Sequence, residues 1–328
     1  MNTLKGPQLR IAVALVVALA SASVSMASMP AATAPVFRIQ AGRIVVLDFT
    51  VLGKSLVAVG ERGVVLRSED GGKTWSGEQA PTTRTLTSVA FVDDKVGIAV
   101  GHGGTLLRTE DGGHTWSAIE CKDIGHDAVL GVTALRSGAV VAWGAFGMYL
   151  VSDDRGKSWR RENTISPDFD RHISEVVEAR HALMMVGETG VIARSRDQGK
   201  TWEKLKSPYE GSYFGLLVMK SGALLAFGMR GNVYRSTDDG DSWEQLSFPS
   251  KATINGGSIA ADGRVVLAGN RGLIAVSKDE GHSFDLYKTP EGTSVSQARI
   301  VDDHLVYTGI AATGCLDLKA SVVSATAP

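Results

Sequence analysis

Between residues 86 and 120 the chain alternates short apolar runs with polar or glycine-rich breaks. Leu86-Thr87-Ser88-Val89-Ala90-Phe91-Val92 is rich in β-branched and apolar residues, as a buried strand should be. Asp93-Asp94-Lys95 reads as a polar turn, and Val96-Gly97-Ile98-Ala99-Val100 as a second strand. Gly101-His102-Gly103-Gly104 then predicts a tight turn, with a third strand over 105–109 and a fourth over 115–120. Four short antiparallel strands in about 42 residues make one blade of a β-propeller.

The unit repeats. Its most regular part is an eight-residue phrase, Ser/Thr-x-Asp-x-Gly-x-Ser/Thr-Trp/Phe, which occupies 68–75, 109–116, 152–159, 195–202, 236–243 and 277–284. The aspartates are Asp70, Asp111, Asp154, Asp197, Asp238 and Asp279, spaced by 41 or 43 residues. Each phrase links the third and fourth strands of a unit. Its aspartate can accept hydrogen bonds from nearby N–H groups, its glycine suits a positive φ, and its aromatic residue returns to the sheet. These are structural roles. One carboxylate per copy does not make a calcium or catalytic cluster. Ahead of each phrase stands a Gly-x-x-Gly turn, at 60–63, 101–104, 144–147, 187–190, 228–231 and 269–272.

Six full units are followed by the start of a seventh. Residues 296–301, Asp302-Asp303 and 304–307 match the first two strands of a blade, and 309–318 can supply a degenerate third. The expectation is an all-β, seven-bladed propeller, closed by a strand at 36–40 that completes the last sheet and removes its open edge. Six blades is the alternative. One domain over 28–318 is expected, with a tail at 319–328 too small and polar to pack.

Composition narrows the function. A formal net charge of -1 gives no global field for nucleic acid or an anionic membrane. The N-terminus carries Lys5 and Arg10, an apolar run over 11–20, and Ser25-Met26-Ala27, the plan of a secretory signal peptide cleaved after Ala27. Export, to a periplasm or lumenal equivalent, follows; an uncleaved anchor is the alternative, and the run is short for a span of about 20 residues. Cys121 and Cys315 fall in non-adjacent units, which argues against a disulfide. The histidines show no metal-ligand spacing, and no glycine turn opens a helix to cradle phosphate, so neither metal nor cofactor is expected.

By analogy with other propellers, partners meet the face carrying the Gly-x-x-Gly turns and the links between blades. That selects Arg62, His102, Phe146, Glu188, Arg230 and Arg271 from the turns, and Arg84, Arg171, His172, Tyr213 and Asn255 from the starts of inner strands. Arg62, Arg230 and Arg271 form a partial basic arc. The alternative is that they serve solubility alone.

The phrase is the Asp-box, or bacterial neuraminidase repeat. With Val59-Gly60-Glu61-Arg62-Gly63-Val64-Val65-Leu66-Arg67-Ser68 leading into Trp75, the chain resembles the photosystem II stability/assembly factor family over residues 36–318. The resemblance implies a cofactor-free, non-enzymatic propeller that binds a membrane protein or envelope complex, a photosystem subunit or a transporter, through an arginine-rich face. A monomer is expected. Blade three departs from the pattern, with Ala145-Phe146 in place of a charged turn and Val151 in place of arginine.

Sialidases also carry Asp-boxes, and Phe37-Arg38-Ile39-Gln40 resembles their Phe-Arg-Ile-Pro signature with Gln40 in place of proline. Arg38, Tyr213 and Glu188 are then candidates for substrate and nucleophile positions. A ligand-binding, sorting-receptor-like propeller is a third class. Export is directly testable: N-terminal sequencing of the mature protein is expected to begin at Ser28, and recovery of Met1 would refute cleavage.

Overall fold

Seven antiparallel sheets follow one another along the chain in the computed structural model, which describes residues 39–318. Six have four strands in sequence order and the seventh has three. The inner strands are Val46–Leu52, Leu86–Phe91, Val129–Ala134, Ile173–Glu178, Tyr213–Val218, Ile254–Ile259 and Val295–Val301. The seven-bladed expectation holds.

The second strand of each blade explains how the ring is held together. Gly97–Gly101, Val140–Gly144, Leu183–Gly187, Leu224–Gly228 and Val265–Gly269 are buried at every position. Such strands are apolar on both faces because a neighbouring blade covers each side. The core is accordingly seven separate clusters, each shared by two adjacent blades. Ile98, Val100 and Leu106 of blade two, for example, pack on Val140, Met148 and Leu150 of blade three.

Blade seven meets blade one through Val301 and Val306 packed with Val46, Phe49 and Leu56. A short bridge pairs Val45 with Ile310, and the Ala311 N–H donates to the Ile44 carbonyl at 3.1 Å. Arg299 Nε donates to the Phe49 carbonyl at 2.8 Å. Most of the closing strand expected at 36–40 lies outside the described residues. Ile39 and Gln40 carry no strand pairing; Ile39 instead packs in the cluster between blades seven and one, and the turn Ala41–Arg43 lies against Ala312–Asp317. Cys121 and Cys315 are free and belong to different clusters.

The repeated phrase forms the same clasp in all six copies. Thr74 Oγ1 donates to Asp70 Oδ2 at 2.6 Å, and the Thr74 N–H to Asp70 Oδ1 at 2.9 Å. Ser68 Oγ donates to Asp70 and accepts the Gly72 N–H. Equivalent bonds hold Asp111, Asp154, Asp197, Asp238 and Asp279. The glycine does more than turn the chain. Gly156 has φ +81°, and a Cβ there would lie 2.0 Å from Ile98 Cδ1 of the preceding blade. The clasp therefore also seats each blade against its neighbour.

The bonds to the Thr74 hydroxyl, then to its N–H, hold the Asp70 carboxyl down at about 2. Thr201 does the same for Asp197. At Asp111, Asp154 and Asp279 burial acts in the opposite sense, yet the hydroxyl and amide bonds outweigh it and the values are again about 2. Because the folded values lie below the ordinary 3.8, the clasps contribute fully above about pH 4 and are lost as pH falls through 2. Thermal melts are expected to give a constant Tm between pH 5 and 7 and a steep fall between pH 4 and 2. A Tm independent of pH down to 2 would contradict this role.

Candidate partner-binding face

The Gly-x-x-Gly turns and the inter-blade links share one end of the ring, opposite the Asp-box clasps, because the strands of each sheet alternate in direction. Each turn is a single 3-10 turn, such as Glu61–Gly63, Met229–Gly231 and Asn270–Gly272. It docks onto the link that follows. The Gly147 N–H donates to the Arg171 carbonyl at 2.8 Å, and the Gly190 N–H to the Gly211 carbonyl at 2.9 Å.

The central residue of every turn is left-handed. Arg62, Phe146, Thr189, Arg230 and Arg271 have φ between 51° and 62°, and Gly103 has 67°. A side chain in this region costs about 1 kcal/mol or more relative to glycine. The structure thus separates two positions that the sequence reading had merged. Arg62, Phe146, Arg230 and Arg271 stand at the left-handed position, whereas His102 and Glu188 stand one residue earlier.

Arg62, Arg84, Arg230 and Arg271 are exposed, and none of their guanidinium groups makes an ion pair among the described residues. They stand on blades five, six and one and on the link from blade one to blade two, near the exposed His102; blade seven, between six and one, has Ile310 and Ala311 at its turn. A cleft of about 530 Å³ between blades five and six adds Lys251 and Lys288 beside Arg271, over Leu273 and Leu286. Arg171, also exposed, lies 3.6 Å from Asp170.

Tyr213 is not on this face. It is fully buried, its hydroxyl lies 3.0 Å from Ser207 Oγ, and its ring packs edge-on against Tyr209 and Tyr234. It occupies the first position of its inner strand, the one filled by Leu86, Ile173 and Ile254, all fully buried anchors. Burial raises its phenol pKa. Of the sialidase-like trio, Arg38 lies outside the described residues, Tyr213 is sealed in the interior, and Glu188 accepts from the His172 N–H at 3.1 Å and lies 3.0 Å from His172 Nδ1.

The mouth of the channel is built by a feature invisible in the repeat. In every blade the pairing of the first two strands slips by one residue just after the inner strand begins. The extra residue is Leu47, Thr87, Leu130, Ser174, Phe214, Asn255 or Ser296, and all seven line the channel. Such a bulge redirects a side chain without lengthening the sheet. The channel, this ring included, is largely polar and has a volume of about 620 Å³. There Asp48 accepts from Ser88 Oγ at 2.8 Å and lies 3.6 Å from Arg299, while burial and then the Asp48 charge push the Glu175 carboxyl up to about 8. Among the described residues no three His, Cys, Asp or Glu side chains are grouped to hold a metal.

A family model described as Photosynthesis system II assembly factor YCF48 matches residues 75–302. Comparison with curated protein sequences returned no match. Among solved structures, YCF48 bound to D1 peptide is 18% identical, covers 81% of this chain and 89% of its own, and superposes with a TM-score of 0.67. YCF48 from Cyanidioschyzon merolae is also 18% identical, with coverages of 83% and 94% and a TM-score of 0.64. A catalytically inactive virginiamycin B lyase from Staphylococcus aureus with quinupristin, 12% identical over 84% and 95%, reaches 0.73. At these identities the structures share the fold alone.

Because the turns already demand the left-handed region, replacing Arg62, Arg230 and Arg271 together by glycine is expected to keep or raise the urea unfolding midpoint. A loss above about 1 kcal/mol per site would make these arginines structural rather than functional.

Proposed function

The chain belongs to the photosystem II assembly factor YCF48 family, and we propose that it acts as a non-enzymatic assembly or stability factor for a membrane-protein complex. The observation that carries this reading is the set of unpaired, exposed guanidiniums of Arg62, Arg84, Arg230 and Arg271 on the face of the turns. Three of them are held in the left-handed region, which a side chain enters at a cost. Unpaired arginines presented on a rigid scaffold suit carboxylates or backbone carbonyls of a partner, since a guanidinium offers a planar fork of donors. A solved family member carries a D1 peptide, which favours a protein segment as the ligand.

In this reading the protein is exported, the signal peptide is removed, and the propeller meets the partner outside the cytoplasm. His102 and Arg171 extend the contact to either side of the arginine arc. The partner is a photosystem subunit in a photosynthetic host, and a transporter or other envelope complex elsewhere. The seven inter-blade clusters provide the rigidity that such a contact needs, so little ordering cost falls on the propeller itself.

Charge reversal of Arg62, Arg230 and Arg271 to glutamate is expected to preserve the melting temperature within a few degrees while abolishing capture of the partner from detergent-solubilised membranes. Undiminished capture by the triple variant would remove the arc as the interface. Mass spectrometry of the material retained by the tagged wild type identifies the partner.

A further inference from the structure

Among the described residues, four of the five exposed large apolar ones, Phe146, Phe214, Met229 and Ile310, lie on the turn face. One recess of about 550 Å³ at the channel mouth involves two of them: Phe214 lines it, and Phe146 packs edge-on against His172 of its wall. Leu130, Ser174, Phe214 and Asn255, the bulge residues of blades three to six, form its floor and continue into the channel.

Phe146 is the informative residue. It takes the left-handed position held by arginine in blades one, five and six, and it is 54% exposed. Backbone strain and exposed aromatic surface are both unfavourable, and neither helps the fold. The ring is nevertheless fixed in place. His172 packs edge-on against it at 5.1 Å, and Glu188 clamps His172 through both its N–H and its ring. The polar groups of the recess are largely committed elsewhere. Asn255 Nδ2 donates to Asn270, Ser294 and the Val295 carbonyl, and Ser212 Oγ accepts the Thr189 N–H. What the recess offers an apolar occupant is Leu130 and the exposed Phe214, with Ser174 and the Glu188 carboxylate at its side.

We propose that this recess takes one large apolar side chain of an extended acidic segment of the partner, whose carboxylates pair with Arg230 and Arg271 on the adjoining blades five and six. The proposal rests on the partner-binding reading and specifies the chemistry of the bound segment. The occupant is identified by charge complementarity: Asn255 of the recess donates to Asn270, which lines the cleft beside the unpaired Arg271, and the unpaired Arg230 stands on the turn of the adjoining blade five.

Fluorescence anisotropy tests it with three labelled nonapeptides of glycine, serine and glutamate. One has a central phenylalanine, one a central alanine, and one the phenylalanine with lysine in place of every glutamate. The phenylalanine peptide is expected to bind the wild type at least about tenfold more tightly than the alanine peptide, the scale of burying one aromatic side chain. Phe146→Gly, which suits the left-handed turn and keeps the fold, combined with Phe214→Ser, is expected to erase that preference while leaving the salt dependence intact. Arg230→Glu with Arg271→Glu is expected to abolish binding of both acidic peptides.

Equal affinity for phenylalanine and alanine peptides, a preference that survives the double aromatic variant, or no binding of any peptide overturns the recess. Binding of the lysine peptide as tight as the glutamate peptide instead overturns the arginine reading, so the two failures are distinct.

Discussion

No blade of this propeller has a core of its own. Its second strand is apolar on both faces, and both faces are covered only when a neighbour stands on each side. Every blade therefore depends on the next, and the last on the first. The contact between blades seven and one, where Arg299 bonds the Phe49 carbonyl and Val306 packs on Leu56, is the one that turns a row of sheets into a ring. The phrase glycines serve the same end, since Gly156 leaves room for Ile98 of the blade before it.

A ring built in this way leaves two ends with different duties. At one end the aspartate clasps are saturated with internal hydrogen bonds and have little left to offer a partner. At the other, the turns hold arginines and a phenylalanine in left-handed positions, and the bulges direct one residue per blade towards the channel mouth. Clasps spent on internal bonds at one end, and left-handed arginines with exposed apolar residues at the other, distinguish the two ends of the ring. The rigid inter-blade packing keeps the turn face preformed.

Much of the fold was legible because the repeat marks its own turns. Gly60 could be placed from its spacing alone, and the structure gives the reason: a Cβ there would lie 2.1 Å from the Val45 carbonyl oxygen. The exposed positions of Arg62, Arg230 and Arg271 followed from the same turns. Tyr213 was misplaced because the start of an inner strand was read as surface, although the same position in other blades holds Leu86 and Ile173. The recess went unseen for a different reason. Asn255, His172 and Glu188 were selected singly for this face, but Leu130, Ser174 and Phe214 share no chemistry with them, and only the common place of the bulge residues after an anchoring apolar residue could have linked them.

The sequence by itself determined the blade period, the clasps and the turns, and pointed to seven blades with six as the alternative, because these depend on local rules of strand patterning and turn stereochemistry. Tertiary structure decided the register of the first two strands, which side chains face the channel, and how the ring closes. Those features arise between segments distant in the chain, and a one-residue slip in pairing changes them without changing any local pattern.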